Sequence, residues 1–215
     1  MALWYGLRNL RAYQQTKNDY SLMFFRVGLG VAIAEYFYGI PLLFLPINSY
    51  LNGLSYLLAI FPLFVGLNYA LRFILKAWDY HNTEKVVAVL IPFVVLIFFL
   101  FHLHAVPMPL YFLLGLFRFV DWRVLYPYDL IWAALLFLTT VLPGIYFLAV
   151  KVETKKAFLK KILFGIVFVL GGLGGIVIVV FSGYPILLVW AFIIQFIGFS
   201  ALGSIFLVDI FLKET

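Results

Sequence analysis

Six stretches of this chain are apolar over enough residues to cross a lipid bilayer: about 21–46, 51–77, 86–106, 130–150, 162–181 and 184–212. A hydrocarbon layer of roughly 30 Å takes about 20 residues of α-helix. Lipid offers bare N–H and C=O groups no partner, so runs of this kind are expected to close their hydrogen bonds internally, as helices. Composition agrees. Only 11% of the residues are charged, where a water-facing domain carries about 25%. The expected fold class is all-α, a polytopic bundle of six transmembrane helices. Pro41, Pro62, Pro92 and Pro143 fall inside four of the runs and predict kinks.

The cations orient the bundle. If the N-terminus is cytoplasmic, thirteen of the fifteen Lys and Arg fall on the cytoplasmic side or at its edge, leaving only Arg118 and Arg123 opposite. That is the sign required by the positive-inside rule, and an odd number of spans would break it. Both termini are therefore expected in the cytoplasm of a cell (cytoplasmic-type) membrane. The net charge of +6 does not indicate nucleic acid, because the cations sit in short turns between apolar runs. With no cysteine there is no disulfide or thiolate metal site. The first twenty residues lack the apolar core and small-residue cleavage site of a signal peptide. The missing cysteine and basic pI suit a prokaryotic source.

Two segments lie outside the spans. Leu3, Trp4, Leu7, Leu10 and Tyr13 recur at helical spacing, with Arg8, Arg11, Gln14 and Gln15 between them. Residues 1–20 thus read as an amphipathic helix on the membrane surface, followed by a single transmembrane domain over 21–215. In Pro107 to Asp129 the apolar part, Leu110 to Val120, is too short to cross, and the segment carries Tyr111, Trp122, Tyr126 and Tyr128. Aromatic rings favour headgroup level, so this segment predicts an interfacial or re-entrant helix on the outer face.

Within the apolar runs, Glu35 is the sharpest residue. An ionisable side chain at such depth is costly unless protonated or paired, and marks a proton, ion or quinone site. Gln195, at comparable depth in the sixth run, is its candidate partner. Arg26 lies near the cytoplasmic boundary, where its side chain can reach headgroups; Asn68 and Arg72 share a face of the second span. An outer-face pocket for a quinone headgroup or an anion is expected from His102, His104, Arg118, Asp121, Trp122 and Tyr126. His102 and His104 point about 200° apart on a helix, so they cannot ligate one metal ion together, and no metal or haem site is expected. Gly171 and Gly175 form a GxxxG pattern that lets helices approach closely. No phosphate-cradling loop, GxSxG or HExxH occurs, which argues against a hydrolase.

The entry of the first span, SLMFFRVGLGVAIAEYFYG with Arg26, Gly28 and Gly30, resembles the first helix of DoxX/DoxD-like proteins. These are small membrane subunits tied to quinone-linked oxidation. The resemblance covers about twenty residues, and six spans exceed the four usual there. It implies a non-catalytic subunit of a respiratory, quinone-linked electron-transfer complex, with the lipid bilayer and other membrane subunits as partners and quinone or lipid as ligand. The spans hold little polar matter besides Glu35, Asn68 and Gln195, which fits helices packed against lipid or further apolar protein. The alternative is a small-solute or ion transporter, which needs polar groups or broken helices at mid-membrane.

Overall fold

The computed structural model describes residues 2–46, 49–114, 117–122, 124 and 126–211, with side chains throughout except at 111–119, 206, 207 and 209–211. Packing divides the chain into two compact units, Met1–Arg123 and Val124–Thr215.

In the first unit, α1 (Ala2–Thr16) is followed by α2 (Asp19–Phe44), α3 (Tyr50–Ala77) and α4 (His81–His102). Side-chain caps start two of the spanning helices. Asn18 accepts from the Tyr20 N–H at 2.9 Å, and Ser49 from the Leu51 N–H at 3.2 Å. Each satisfies a donor that the first helical turn leaves unpaired. Connections of a few residues make consecutive helices antiparallel, and α3 lies between α2 and α4. Gly30 of α2 and Gly66 of α3 set the α2–α3 crossing: a Cβ on Gly30 would stand 2.6 Å from Gly66 Cα. At their other ends α3 bonds both neighbours, with Arg72 on Glu84 of α4 at 2.5 Å and Lys76 on Asp19 of α2 at 2.6 Å.

α1 folds back along α2 as an antiparallel hairpin. Ala2 and Gly6 are buried, and a Cβ on Gly28 would meet the Ala2 carbonyl oxygen and Gly6 Cα, both at 3.0 Å. Tyr5 meets Phe24 edge to face, with ring centroids 6.1 Å apart. The small residues make the protein contact, and the apolar stripe Leu3, Trp4 and Leu7 faces outward. The helix expected from the periodicity forms, with a neighbour that the periodicity does not reveal.

The segment after α4 corrects a second expectation. In place of an outer-face helix, β1 (Pro109–Leu114) pairs antiparallel with β2 (Phe117–Trp122), in register from Pro109↔Trp122 to Leu114↔Phe117. Pro107 and Pro109 interrupt the start of any helix there, and Tyr, Phe, Val and Trp favour a pleated backbone. Both outer edges of a lone two-stranded hairpin keep unpaired N–H and C=O groups, which hydrocarbon would not tolerate. The hairpin therefore belongs against protein and water, and its first residues cap α3: a Cβ on Gly53 would lie 2.5 Å from the Pro107 carbonyl oxygen.

The second unit has three spans. The first is continuous but changes register: α5 (Tyr128–Leu136), a π-helical turn (Phe137–Val141) and α6 (Leu142–Ala149). Pro143 lacks the N–H that would bond the carbonyl of residue 139, and its ring would press on that carbonyl. The wider π turn immediately before it takes up the mismatch. Then come α7 (Lys155–Val180) and α8 (Pro185–Phe211), with α7 between the other two. α7 begins seven residues ahead of the apolar run. Thr154 accepts from the Ala157 N–H at 3.2 Å, so the lysine-bearing turns are helical as well.

Among the described residues six helices are thus long and apolar enough to cross a membrane, as the sequence predicts: 19–44, 50–77, 81–102, 128–149, 155–180 and 185–205. Exposed apolar side chains cover their outer faces, Leu43 and Phe44 at 78% and 79% among them. These faces require a lipid bilayer or apolar protein around them.

Candidate functional site

The hairpin end of the first unit carries its densest chemistry. Trp122 ends β2 and is 3% exposed; Asp121 beside it is 4% exposed. The Trp122 ring stacks on Tyr56 of α3 at 4.1 Å between centroids and 3° between planes. Its Nε1–H donates to the Tyr38 hydroxyl of α2 at 3.1 Å, and Asp121 and Tyr38 both lie within electrostatic reach of Tyr56. Three separate elements thus meet in one aromatic cluster beside a buried carboxylate. At 4.1 Å the Tyr56 and Trp122 faces occupy each other, so no third ring enters between them. The cluster clamps the hairpin onto α2 and α3.

The six residues of the expected outer-face pocket part company here. Asp121 and Trp122 are in the cluster. His102 is buried at the end of α4, its ring 4.1 Å from that of Phe98 and its Nδ1 2.9 Å from the Phe98 carbonyl oxygen. A carbonyl only accepts, so Nδ1 carries the proton. His104 is exposed in the following turn. Tyr126, 77% exposed, belongs to the second unit, and the Arg118 side chain lies outside the described residues. Among the described residues no group of three or more His, Asp or Glu could hold a metal ion.

Glu35 lies on α2 nine residues before Phe44, about 13 Å along the axis. It is exposed, and no hydrogen bond or ion pair ties it to another described residue. Gly39, one turn further on, has nothing within 4 Å of where its Cβ would stand. Glu35 stands two turns beyond Gly28 on the face of α2 that packs on α1, with the open position of Gly39 one turn further along.

Gln195 is committed within the second unit. Its Nε2–H donates to the Gly171 carbonyl oxygen of α7 at 3.5 Å, and a Cβ on Gly174 would lie 2.5 Å from Gln195 Cγ. The GxxxG pair contributes differently from the expectation. A Cβ on Gly171 would meet nothing within 4 Å, although one on Gly198 of α8 would lie 3.3 Å from the Gly171 nitrogen, and a Cβ on Gly175 would lie 3.1 Å from Leu136 Cδ1. The closest approaches fall at Gly172, against Thr140 and Val141, and at Gly174.

No known protein family, curated protein or solved structure matches this chain. Its chemistry has to be read from its own residues.

Sequence reasoning missed two features. Tyr38 and Tyr56 read as ordinary aromatic residues of two spans, because Tyr38 lies 84 positions from Trp122 and nothing local signals their meeting. Thr139 and Thr140 carried a fainter signal, two adjacent hydroxyls in mid-span. In the π turn they donate to the Leu135 carbonyl oxygen at 2.7 Å and to that of Leu136. Both are buried, Thr140 against Gly172 of α7. The π turn loosens the i→i−4 ladder, and the hydroxyls satisfy carbonyls that it frees.

Proposed function

We propose that this chain is a multi-pass subunit of a larger assembly in a cytoplasmic-type membrane, with both termini in the cytoplasm, and that it packs against other membrane subunits. Glu35 carries the reading. A carboxyl facing hydrocarbon costs several kcal/mol; the chain's own N-terminal ammonium contributes an opposite charge, and a group from outside the chain would offset the cost further. The candidates are a donor on a neighbouring subunit's helix or the polar headgroup of a lipid-soluble quinone. Gly39 beside it permits close approach. Two other polar side chains of the spans bond inside the units: Asn68 Nδ2 donates to the Val87 carbonyl oxygen at 3.3 Å, and Gln195 to Gly171. The first-span resemblance to DoxX/DoxD-like subunits supplies the class of assembly, quinone-linked electron transfer, in which this chain is non-catalytic.

One observation favours a second reading, a small-solute or ion transporter. The π turn with Thr139 and Thr140 stands at the middle of its span, where transporters place interrupted helices. Purification in mild detergent separates the two. The subunit reading expects partner chains to copurify with quinone-reactive redox absorbance, and Glu35→Leu to release them while Glu35→Gln weakens the association. A solitary chain that drives solute uptake into liposomes, with uptake abolished by T139V/T140V, would overturn it.

A further inference from the structure

At the end of the first unit opposite the hairpin, α3 lies between α2 and α4. Residues of α3 step round the axis by about 100° and divide their contacts accordingly. Asn68 and Arg72 turn to α4, bonding the Val87 carbonyl oxygen and the Glu84 carboxylate. Tyr69 and Lys76 turn to α2, meeting Arg26 and Asp19. The Arg26 guanidinium lies 4.5 Å from the Tyr69 ring centroid and that of Arg72 5.0 Å from it. One aromatic ring thus lies within cation–π reach of two guanidinium groups.

The charges do not balance. Glu84 matches Arg72, and Asp19 matches Lys76. Arg26 has the Tyr69 ring, and no carboxylate pairs with it among the described residues. A half-buried guanidinium next to a second one repels it, an arrangement that an anion between them would reverse. Guanidinium forks match phosphate oxygens in pairs, and the ring fixes both forks in advance, so little side-chain freedom is lost on binding.

An apolar track leaves this seat along the spans. Ile33 and Ile40 follow Arg26 on one face of α2, seven and fourteen residues on. Leu58 and Phe61 lie eleven residues, close to three full turns, before Tyr69 and Arg72 on α3. All four are exposed, at 38% to 41%, although α3 is the most enclosed of the six spanning helices. A cationic seat at the membrane boundary that opens onto an apolar track fits an amphiphile and not a soluble anion.

We propose that Arg26, Tyr69 and Arg72 bind the phosphate of an anionic phospholipid, whose acyl chain lies along Ile33, Ile40, Leu58 and Phe61. The full chain, delipidated in a neutral detergent, is titrated with phosphatidylglycerol, phosphatidylcholine or inorganic phosphate and read by native mass spectrometry. Phosphatidylglycerol is expected to bind at a saturable site at least tenfold more tightly than phosphatidylcholine, whose trimethylammonium meets the cationic seat. Arg26→Gln should weaken it about tenfold, and Arg26→Lys, which keeps the charge without the fork, by less. Leu58→Trp, which fills the track and leaves the arginines intact, should weaken it too, whereas Lys151→Gln in the second unit should not. Monodisperse elution of each variant shows that the fold is kept. Equal binding of the two lipids, unchanged binding by both Arg26→Gln and Leu58→Trp, or equivalent occupancy by inorganic phosphate would each overturn the proposal.

Discussion

Replacing Gly30 by Ala tests the packing on which the first unit depends. The added Cβ would stand 2.5 Å from the Pro62 carbonyl oxygen and 2.6 Å from Gly66 Cα. Both are backbone atoms of α3, so no flexible side chain can swing aside. Reaching an ordinary contact of 3.4 Å requires α2 and α3 to part by about 0.8 Å, and a gap of that size forfeits roughly a quarter to a half of each dispersion contact. With ~100 atom pairs across such a crossing at ~0.15 kcal/mol each, a quarter lost everywhere amounts to about 4 kcal/mol. Tilting the helices preserves the distant pairs, which brings the expected cost to about 1–3 kcal/mol, the range found for overpacked cores. Gly39→Ala, nine residues along the same helix, is the internal control. Its Cβ meets nothing within 4 Å, and removing a helical glycine stabilises by up to about 1 kcal/mol. Reversible unfolding of the two variants in mixed detergent–SDS micelles measures the difference, expected at about 1–3 kcal/mol because the gain from removing a helical glycine is common to both, with Gly30→Ala the less stable. Two variants of equal stability would refute the α2–α3 crossing described here.

Two further outcomes follow from the geometry. In a double-mutant cycle of Tyr38→Phe and Trp122→Phe, each change removes one partner of the Nε1–H to hydroxyl bond at 3.1 Å. Unfolding measurements should give a coupling of about 1 kcal/mol, and strict additivity would exclude the bond. Because the chain has no cysteine, single introduced thiols report topology cleanly. A membrane-impermeant maleimide should label Tyr126→Cys in intact cells but Lys151→Cys only after permeabilisation, and the reverse pattern would invert the proposed orientation.

Hydropathy made the six spans legible because it measures the transfer of side chains out of water, a local property of each run. It marks the depth of hydrocarbon and not the length of a helix. Hence α7 starts at Lys155 and α4 at His81, earlier than their apolar runs, for a lysine side chain costs a helix nothing once its head is in water. The hairpin was illegible for a related reason. PLYFLL has no charged residue, and in FRFVDW the charged Arg118 and Asp121 stand three apart, so neither shows the strict alternation that marks a half-exposed strand. The Tyr38–Tyr56–Trp122 cluster joins residues remote in sequence, which no window along the chain can contain. Asp121 and Trp122 stood out only because polar and interfacial residues are rare in a chain this apolar.

The same physics explains where function has to be sought. In a water-soluble protein the interior is apolar and the surface polar, so a buried polar group is the exception that needs explaining. In these spans lipid reverses the test, since every polar atom needs a protein partner wherever it points. Gln195, Thr139 and Thr140 bond backbone carbonyls of their own or an adjacent helix, and Asn68 does so through its Nδ2 while its Oδ1 is buried without a partner among the described residues. Such bonds hold helices together and leave little capacity to bind a solute. Glu35 and Arg26 are different. Each is an ionisable side chain of α2 with no opposite charge among the described residues, and each stands beside surface open to the outside, Gly39 for one and the Ile33–Leu58 track for the other. Helix α2 therefore carries both groups, nine residues and about 180° apart, Arg26 toward Tyr69 of α3 and Glu35 on the opposite face. An anion at the boundary and a donor at mid-span are the two groups that would meet their demand.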